Sequence, residues 1–164
     1  MMNTAVSETA MQTHAGTDQY LTFLLAGEEY GIDILRVQEI KGWGAVTPIP
    51  NMPLYILGVI NLRGAVVPIV DLRKRFGLEG SAFGPTTVVI VVRVRGQGAE
   101  RTMGMVVDGV SEVYNVAAAE LKPPPDFGVA VDAEFVKGLA TVDNKMVILL
   151  DIDHLLNTGV MDLA

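Results

Sequence analysis

The amino-acid sequence predicts an all-β protein with short helices, built as two small β-barrels packed side by side. Three observations carry this expectation. The chain echoes itself: Gly58 to Phe76 recurs as Gly138 to Leu156, with Gly58 matching Gly138, Val67 matching Val147 and Asp71 matching Asp151, always eighty positions on. An earlier pair repeats seventy-three positions on, Gly31 and Glu39 matching Gly104 and Glu112. Internal repeats of this kind decide architecture before any local pattern does. Half of the 164 residues are hydrophobic yet only 6% are aromatic, so the core rests on Val, Ile and Leu, which favours strands. The apolar runs are short and are separated by glycine-rich or proline-rich turns.

The elements follow in order. Met1 to Asp18 is polar and rich in small residues, and reads as a disordered tail with no secretory leader. Tyr20 to Ala26 is a strand, and Gly27 to Glu29 a turn. Tyr30, Ile32 and Ile34 alternate with Gly31 and Asp33, the period-2 pattern of a half-buried strand, and Val37 to Ile40 continues extended. Lys41 to Pro53 holds three prolines and two glycines and is a loop or a broken edge. Val59 to Leu62 and Ala65 to Val70 form a hairpin turning at Arg63-Gly64; Pro68 cannot donate to a ladder, which predicts an edge strand or a bulge at barrel closure. Asp71 caps a short helix ending in Arg73, Lys74 and Arg75, where the dipole favours cations, and these three read as a solvated face.

Gly77 to Pro85 joins the copies. Thr86 to Val94 is almost continuous Val and Ile, which predicts a strand covered on both faces and lying between the two halves. Arg101 to Val107 and Val110 to Val116 are strands, Ala117 to Leu121 a helical turn, and Pro123 to Pro125 an extended connection. Phe135 to Val142 and Lys145 to Leu150 form the second hairpin at Asp143-Asn144, a pair that tolerates positive φ, and Asp151 to Asn157 is the closing helix. These readings place subdomains at 19–84 and 85–157, with a tail at 158–164, and leave open whether the copies exchange strands.

The residues exclude more chemistry than they offer. A net charge of −7 disfavours nucleic acid as a partner. With no cysteine there is no disulfide, thiol catalysis or cysteine-bound metal. No apolar run approaches the roughly 18–20 residues that span a bilayer, so no direct membrane insertion is expected and a cytoplasmic location is the default. The matched Asp71 and Asp151 suggest a paired-carboxylate hydrolase, but the hydroxyl and glycine that should follow each are missing; helix caps explain both. His14 and His154 lack companions for a metal site, and Gly96-Gln97-Gly98 is a turn rather than a dinucleotide loop. No phosphate loop or nucleophile elbow occurs, so no catalytic residue, metal or cofactor is expected.

Charges at matched places say more. Glu39 and the hairpin-tip Arg63 correspond to Glu112 and Asp143. The first copy can form an ion pair; the second, acidic at both places, cannot. Val37, two residues before Glu39, shares its face by strand spacing, and an arginine at a rigid tip beside an exposed aliphatic suits protein recognition. Trp43, between Gly42 and Gly44, reads as a residue that packs to pin its loop.

Taken together, Tyr30 to Ile40, Ile49 to Pro53, Gly58 to Gly64, Val67 to Arg73, Val106 to Val113 and Ile148 to Asp153 resemble the CheW family of bacterial chemotaxis adaptors, over Gln19 to Leu156. The resemblance implies two five-stranded SH3-like barrels around a shared core and no catalysis. It implies a scaffold that ties the histidine kinase CheA, through its regulatory domain, to the cytoplasmic tips of methyl-accepting chemotaxis receptors. It places Val37, Glu39, Gly58 and Arg63 on the receptor side and leaves the kinase side unassigned. Two alternatives stand beside it: a similar adaptor for twitching motility or second-messenger control, and a small acidic hydrolase using Asp71 and Asp151.

Overall fold

The computed structural model describes residues 17–78, 83–96, 98–123 and 133–157. The tail at 1–16, residues 79–82 of the joint between the copies, Gln97, the 124–132 segment with Pro124 and Pro125, and the 158–164 segment lie outside the described residues. Among the described residues ten strands run in the order β1 (Thr17–Leu25), β2 (Glu28–Asp33), β3 (Val37–Gly42), β4 (Ile56–Leu62), β5 (Ala65–Asp71), β6 (Val88–Arg95), β7 (Glu100–Val107), β8 (Gly109–Ala117), β9 (Val136–Val142) and β10 (Lys145–Leu150). Short helices α1 (Leu72–Arg75) and α2 (Ile152–Asn157) follow β5 and β10. A 3-10 turn at Ile34–Arg36 joins β2 to β3. The strands make two five-stranded sheets, ordered β8-β1-β2-β10-β9 and β3-β6-β7-β5-β4.

Each sheet closes on itself through one extra bridge. Thr47, beyond β3 at one end of the second sheet, exchanges two backbone hydrogen bonds of 2.9 Å with Val59 on β4 at the other end. Lys122, beyond β8, exchanges bonds of 2.9 and 2.7 Å with Leu139 on β9. Closure of this kind removes the exposed edges that an open sheet would leave.

The repeat now has a spatial meaning. The hairpin β1–β2 corresponds to β6–β7, and β3, β4, β5 and α1 correspond to β8, β9, β10 and α2. Yet β1–β2 joins β8–β10, and β6–β7 joins β3–β5. The two copies have exchanged their first hairpins, so each barrel is assembled from both. The second barrel runs unbroken from β3 to β7, while the first takes its strands from either side of it.

Four pairs join the copies: β1–β8 and β3–β6 are antiparallel, and two are parallel, β10 beside β2, with Leu149 opposite Gly31, and β5 beside β7, with Ile69 opposite Gly104. A Cβ on Gly31 would stand 2.8 Å from Leu149 Cδ2, and one on Gly104 2.6 Å from Ile69 Cδ1. The glycines that mark the repeat are therefore the room into which the large aliphatic of the other copy packs.

Hairpin turns follow the residues. Arg63 and Gly64 have φ of 52° and 88°, Asp143 and Asn144 of 52° and 64°, as two-residue turns with left-handed backbone require. The Asp71 carboxylate accepts from the Arg73 and Lys74 amides at 3.0 and 3.5 Å, and Asp151 accepts from His154 N at 3.1 Å, so both are the helix caps expected of them.

β6 is buried on both faces, as its composition predicts. Val89 and Val91 join Val67, Ile69 and Val106 inside one barrel. Ile90, Val92 and Val94 join Phe23, Tyr30, Met103, Met105 and Leu155 in a core shared between the barrels. Tyr20, Val116, Ala140, Val147 and Leu149 fill the other barrel. Burying a side chain of this size is worth about 1.5–3 kcal/mol, so the shared core dominates stability.

Two expectations are corrected. β5 is not an edge strand, since it lies between β7 and β4. The other alternative holds: Pro68 lies where the barrel closes, opposite Val59 and beside the bulge in β4. Its partner Val59 spends both backbone groups on Thr47, so Pro68 sits at a non-bonded pair of the β4–β5 ladder, and pairing with β7 begins only at Ile69. Nor is the Arg73-Lys74-Arg75 run a solvated face. Arg73 is 3% exposed and pairs with Asp108 at 3.3 Å. Arg75 lies 5.0 Å over the Tyr55 ring and 4.7 Å over the Phe135 ring. Only Lys74 is exposed.

Both crossings between barrels are clamped to a closing helix. At the β7–β8 crossing Asp108 takes Arg73 from α1, and its other oxygen accepts from Ala26 N at 2.8 Å. At the β2–β3 crossing Arg36 makes a two-pronged pair, 2.8 and 2.5 Å, with Asp153 of α2, which also accepts from Arg95 N at 2.7 Å. Partial desolvation pushes the Asp153 carboxyl up, but the hydrogen bonds from Arg36 and the Arg95 amide, with the charges of both arginines, hold it below the ordinary carboxylate range.

A carboxyl so held stabilises the fold above its unfolded pKa of about 4 and loses that contribution as pH falls through the folded value. Chemical denaturation should therefore show stability dropping as pH is lowered from about 4, with a shallower drop in Asp153→Asn. Arg36→Met should cost about 1–2 kcal/mol near neutral pH. An Asp153→Asn variant with the wild-type acid slope would refute the clamp.

Candidate functional site

The rim of the second barrel carries the residues singled out from the sequence. β3 presents Glu39 and the β4–β5 hairpin presents Arg63; Arg63 Nη2 meets Glu39 Oε1 at 2.6 Å. The arginine side chain is 75% exposed while Glu39 is 25% exposed, so the pair holds a cation out at a rigid tip. The turn is braced from beneath, with Asn61 Oδ1 accepting from Gly64 N at 2.9 Å. An exposed pair of this kind adds only about 0–1 kcal/mol to stability, so its arrangement is better understood as presentation than as fold energy.

Val37 does not share the Glu39 face. A bulge shifts the β3–β6 register between them, so Val37 lies opposite Val92 and Glu39 opposite Val91. Neighbours on β6 point to opposite faces. Val37 therefore packs half-buried against the shared core, and Glu39 stands at the barrel mouth.

Gly58 is buried and has a φ of 146°. A Cβ there would fall 2.1 Å from the Thr47 carbonyl oxygen and 2.7 Å from its carbon. The close approach that Gly58 permits is thus within the chain, at the bridge that closes the barrel. Trp43 behaves as its composition suggests: half-buried, with its ring 4.3 Å from Phe83 and its amide donating to Thr87 O at 3.2 Å.

One feature escapes sequence reading. Just past Arg63 the ladder between β5 and β7 opens, because those strands pair only from Ile69 and Gly104 onward. A groove of about 450 Å³ lies in the gap, lined by Val66, Pro68 and Met103 with Ile49 and Met52 from the preceding loop and Arg101 at its side. Val66 is 69% exposed. A composition-based signal existed in the Ile49 to Pro53 run, but only the splay of two strands gives it a wall. The Arg63 tip and an apolar trough are thereby adjacent, which suits a partner with an apolar face and a charged flank.

The first barrel differs at the matched rim. Glu112 and Asp143 stand where Glu39 and Arg63 do, and neither has an ion-pair partner among the described residues. Asp71 is 2% exposed and Asp151 is exposed, each engaged by its own helix start, so the two do not form a common acidic cleft. The hydrolase alternative loses its premise. Among the described residues no group of three or more His, Cys, Asp or Glu could hold a metal ion, and no helix is long and apolar enough to cross a membrane.

Residues 19–160 match the CheW-like domain family. The chain is 46% identical over 146 residues to the chemotaxis protein CheW of Klebsiella aerogenes, covering 89% of this chain and 86% of that one. It is 36% identical over 138 residues to the chemotaxis protein CheW of Rhizobium meliloti, covering 84% and 86%. Among solved structures it resembles the scaffolding protein TtCheW of Thermoanaerobacter tengcongensis, with a TM-score of 0.76, 36% identity and coverage of 84% and 86%.

Gly58→Val should lower stability by about 2–4 kcal/mol, since it sets a branched side chain against backbone in a left-handed conformation. Arg63→Ala should change it by less than about 1 kcal/mol. Thermal melts of the two variants check both; a mild Gly58→Val would show that the bridge at Thr47 is soft.

Proposed function

Because the chain belongs to the CheW-like domain family, we propose that it is a non-catalytic chemotaxis scaffold that couples a CheA-type histidine kinase to the cytoplasmic tips of methyl-accepting receptors. The observation that carries the receptor side is the exposed Arg63, held by Glu39 beside the apolar groove of Val66, Pro68 and Met103. The tip of such a receptor is helical, and this groove calls for one with an apolar stripe flanked by charge. Its stripe lies in the groove, and a carboxylate on its flank shares Arg63 with Glu39. Val37 and Gly58 serve this surface from behind, the one by packing β3 onto the shared core and the other by letting the barrel close.

The work done is mechanical. The shared core makes the two barrels one rigid unit, so a shift of the receptor on one rim is passed to whatever is held on the other. Signalling is then a difference in contact free energy between two arrangements of the assembly, with no bond made or broken by this protein. The protein acts in the cytoplasm, where both partners present the surfaces it meets.

Reconstitution tests this. The chain, a receptor cytoplasmic fragment and the kinase should co-elute as a ternary complex and change kinase autophosphorylation; failure to bind either partner at tens of micromolar would sink the reading. Arg63→Ala should weaken receptor-fragment binding about tenfold, with kinase binding and melting temperature unchanged.

A further inference from the structure

We infer that the rim of the first barrel is a receptor for a basic side chain, and that the histidine kinase supplies it. This rests on the scaffold function proposed above, in which the receptor occupies the Arg63 rim and the kinase needs a second one. Glu112 and Asp143 occupy the positions of Glu39 and Arg63. In one barrel the hairpin arginine neutralises the strand glutamate; in the other both places are acidic. Tyr114, two residues on from Glu112 on β8, donates its hydroxyl to Glu112 Oε2 at 3.2 Å, fixing that carboxylate at the mouth.

A third carboxylate makes the rim more than an acidic patch. Glu29 on β2 is 9% exposed, and its Oε2 is buried with no hydrogen-bond donor among the described residues. It occupies the position that Thr102 holds in the other barrel, beside the same splay between parallel strands. An unmatched buried carboxylate oxygen is costly, and a fold retains one where something else comes to answer it. The Tyr114 phenol is pushed up by partial desolvation first, then by its bond to Glu112 and by the negative charges of Glu112, Glu29 and Asp143. Lys145 follows the turn and pairs with none of them.

The occupant is a guanidinium or ammonium rather than a metal ion, because the carboxylates do not converge tightly enough to hold one. Arginine suits the geometry better, since a planar fork can bridge two separated carboxylates. The molecule already shows the filled version of this rim, in the Arg63–Glu39 pair. What the second barrel supplies in cis, the first takes from its partner.

The other barrel also supplies the test. Asp143 has φ of 52°, the same as Arg63, so the turn accepts an arginine without strain. Asp143→Arg should pair with Glu112, close the rim, keep the melting temperature at or above wild type, and weaken binding to the kinase regulatory fragment about tenfold while leaving receptor-fragment binding intact. Wild-type binding to the kinase fragment should fall with added salt, and the variant should lose part of that slope. Glu29→Gln, which keeps the shape, should give a smaller loss in the same direction. Wild-type chain that binds both fragments, with Asp143→Arg indistinguishable from it, overturns this assignment alone. Loss of receptor binding with kinase binding spared also overturns it, by giving the rim to the receptor. Wild-type chain that binds neither fragment instead defeats the scaffold function, and this inference with it.

Discussion

Parallel pairing between the two copies, β2 with β10 and β7 with β5, is the constraint from which the rest of the molecule follows. With the antiparallel pairs β1–β8 and β3–β6, these two short contacts carry each barrel across the boundary between repeats. They require a glycine opposite a large aliphatic, because a side chain on both strands would overfill the space. They require the chain to pass between barrels twice, and each passage is held by an ion pair to a closing helix. They also bring the helices together. Arg75 of α1 donates to Leu155 O of α2 at 3.4 Å and stacks between Tyr55 and Phe135, two rings at equivalent places in the repeat. The pseudo-twofold axis passes through that contact, between one residue and its own counterpart.

On this symmetric frame the charges are not symmetric. Arg73 and Asp153 are equivalent, yet one is a cation gripping Asp108 and the other an anion gripping Arg36. The clamp survives as a geometry while its polarity reverses. At the rims the change goes further: a complete pair at Glu39 and Arg63, an incomplete one at Glu112 and Asp143. Duplication supplied one backbone twice, and divergence at a few exposed positions made two different surfaces. That is what a scaffold joining unlike partners requires, since specificity is a difference between surfaces.

Much of the fold is legible in the amino-acid sequence. The repeat, the hairpin turns, both aspartate caps, the doubly buried β6 and the Glu39–Arg63 pair all follow from local rules acting over a few residues. The failures share a cause. Strand exchange is set by which hairpin packs on which, and no local pattern records it. The arginines of α1 looked exposed because three cations in a row usually are, but the shared core placed Asp108 and two aromatic rings against them. The bulge at Val37 is a register event between strands some fifty residues apart in sequence. Pro68 suggested an edge because the hydrogen bonds that excuse it come from Thr47, outside the strand. The groove beside Arg63 exists only as the space where two strands part. In the candidate surface, then, the charged rim could be read from the chain and the apolar wall could not.

The order in which strands are used also has a direction in time. A chain leaving the ribosome completes β3 to β7, one whole barrel, while its first hairpin still lacks β10, the strand that will lie against β2. Until then β1–β2 offers an unmatched edge to its surroundings, and it can settle only on the finished barrel through Phe23, Tyr30 and the faces of β6 and β7. The early barrel is therefore the template on which the late one is assembled, and the last strands to emerge release the first from waiting.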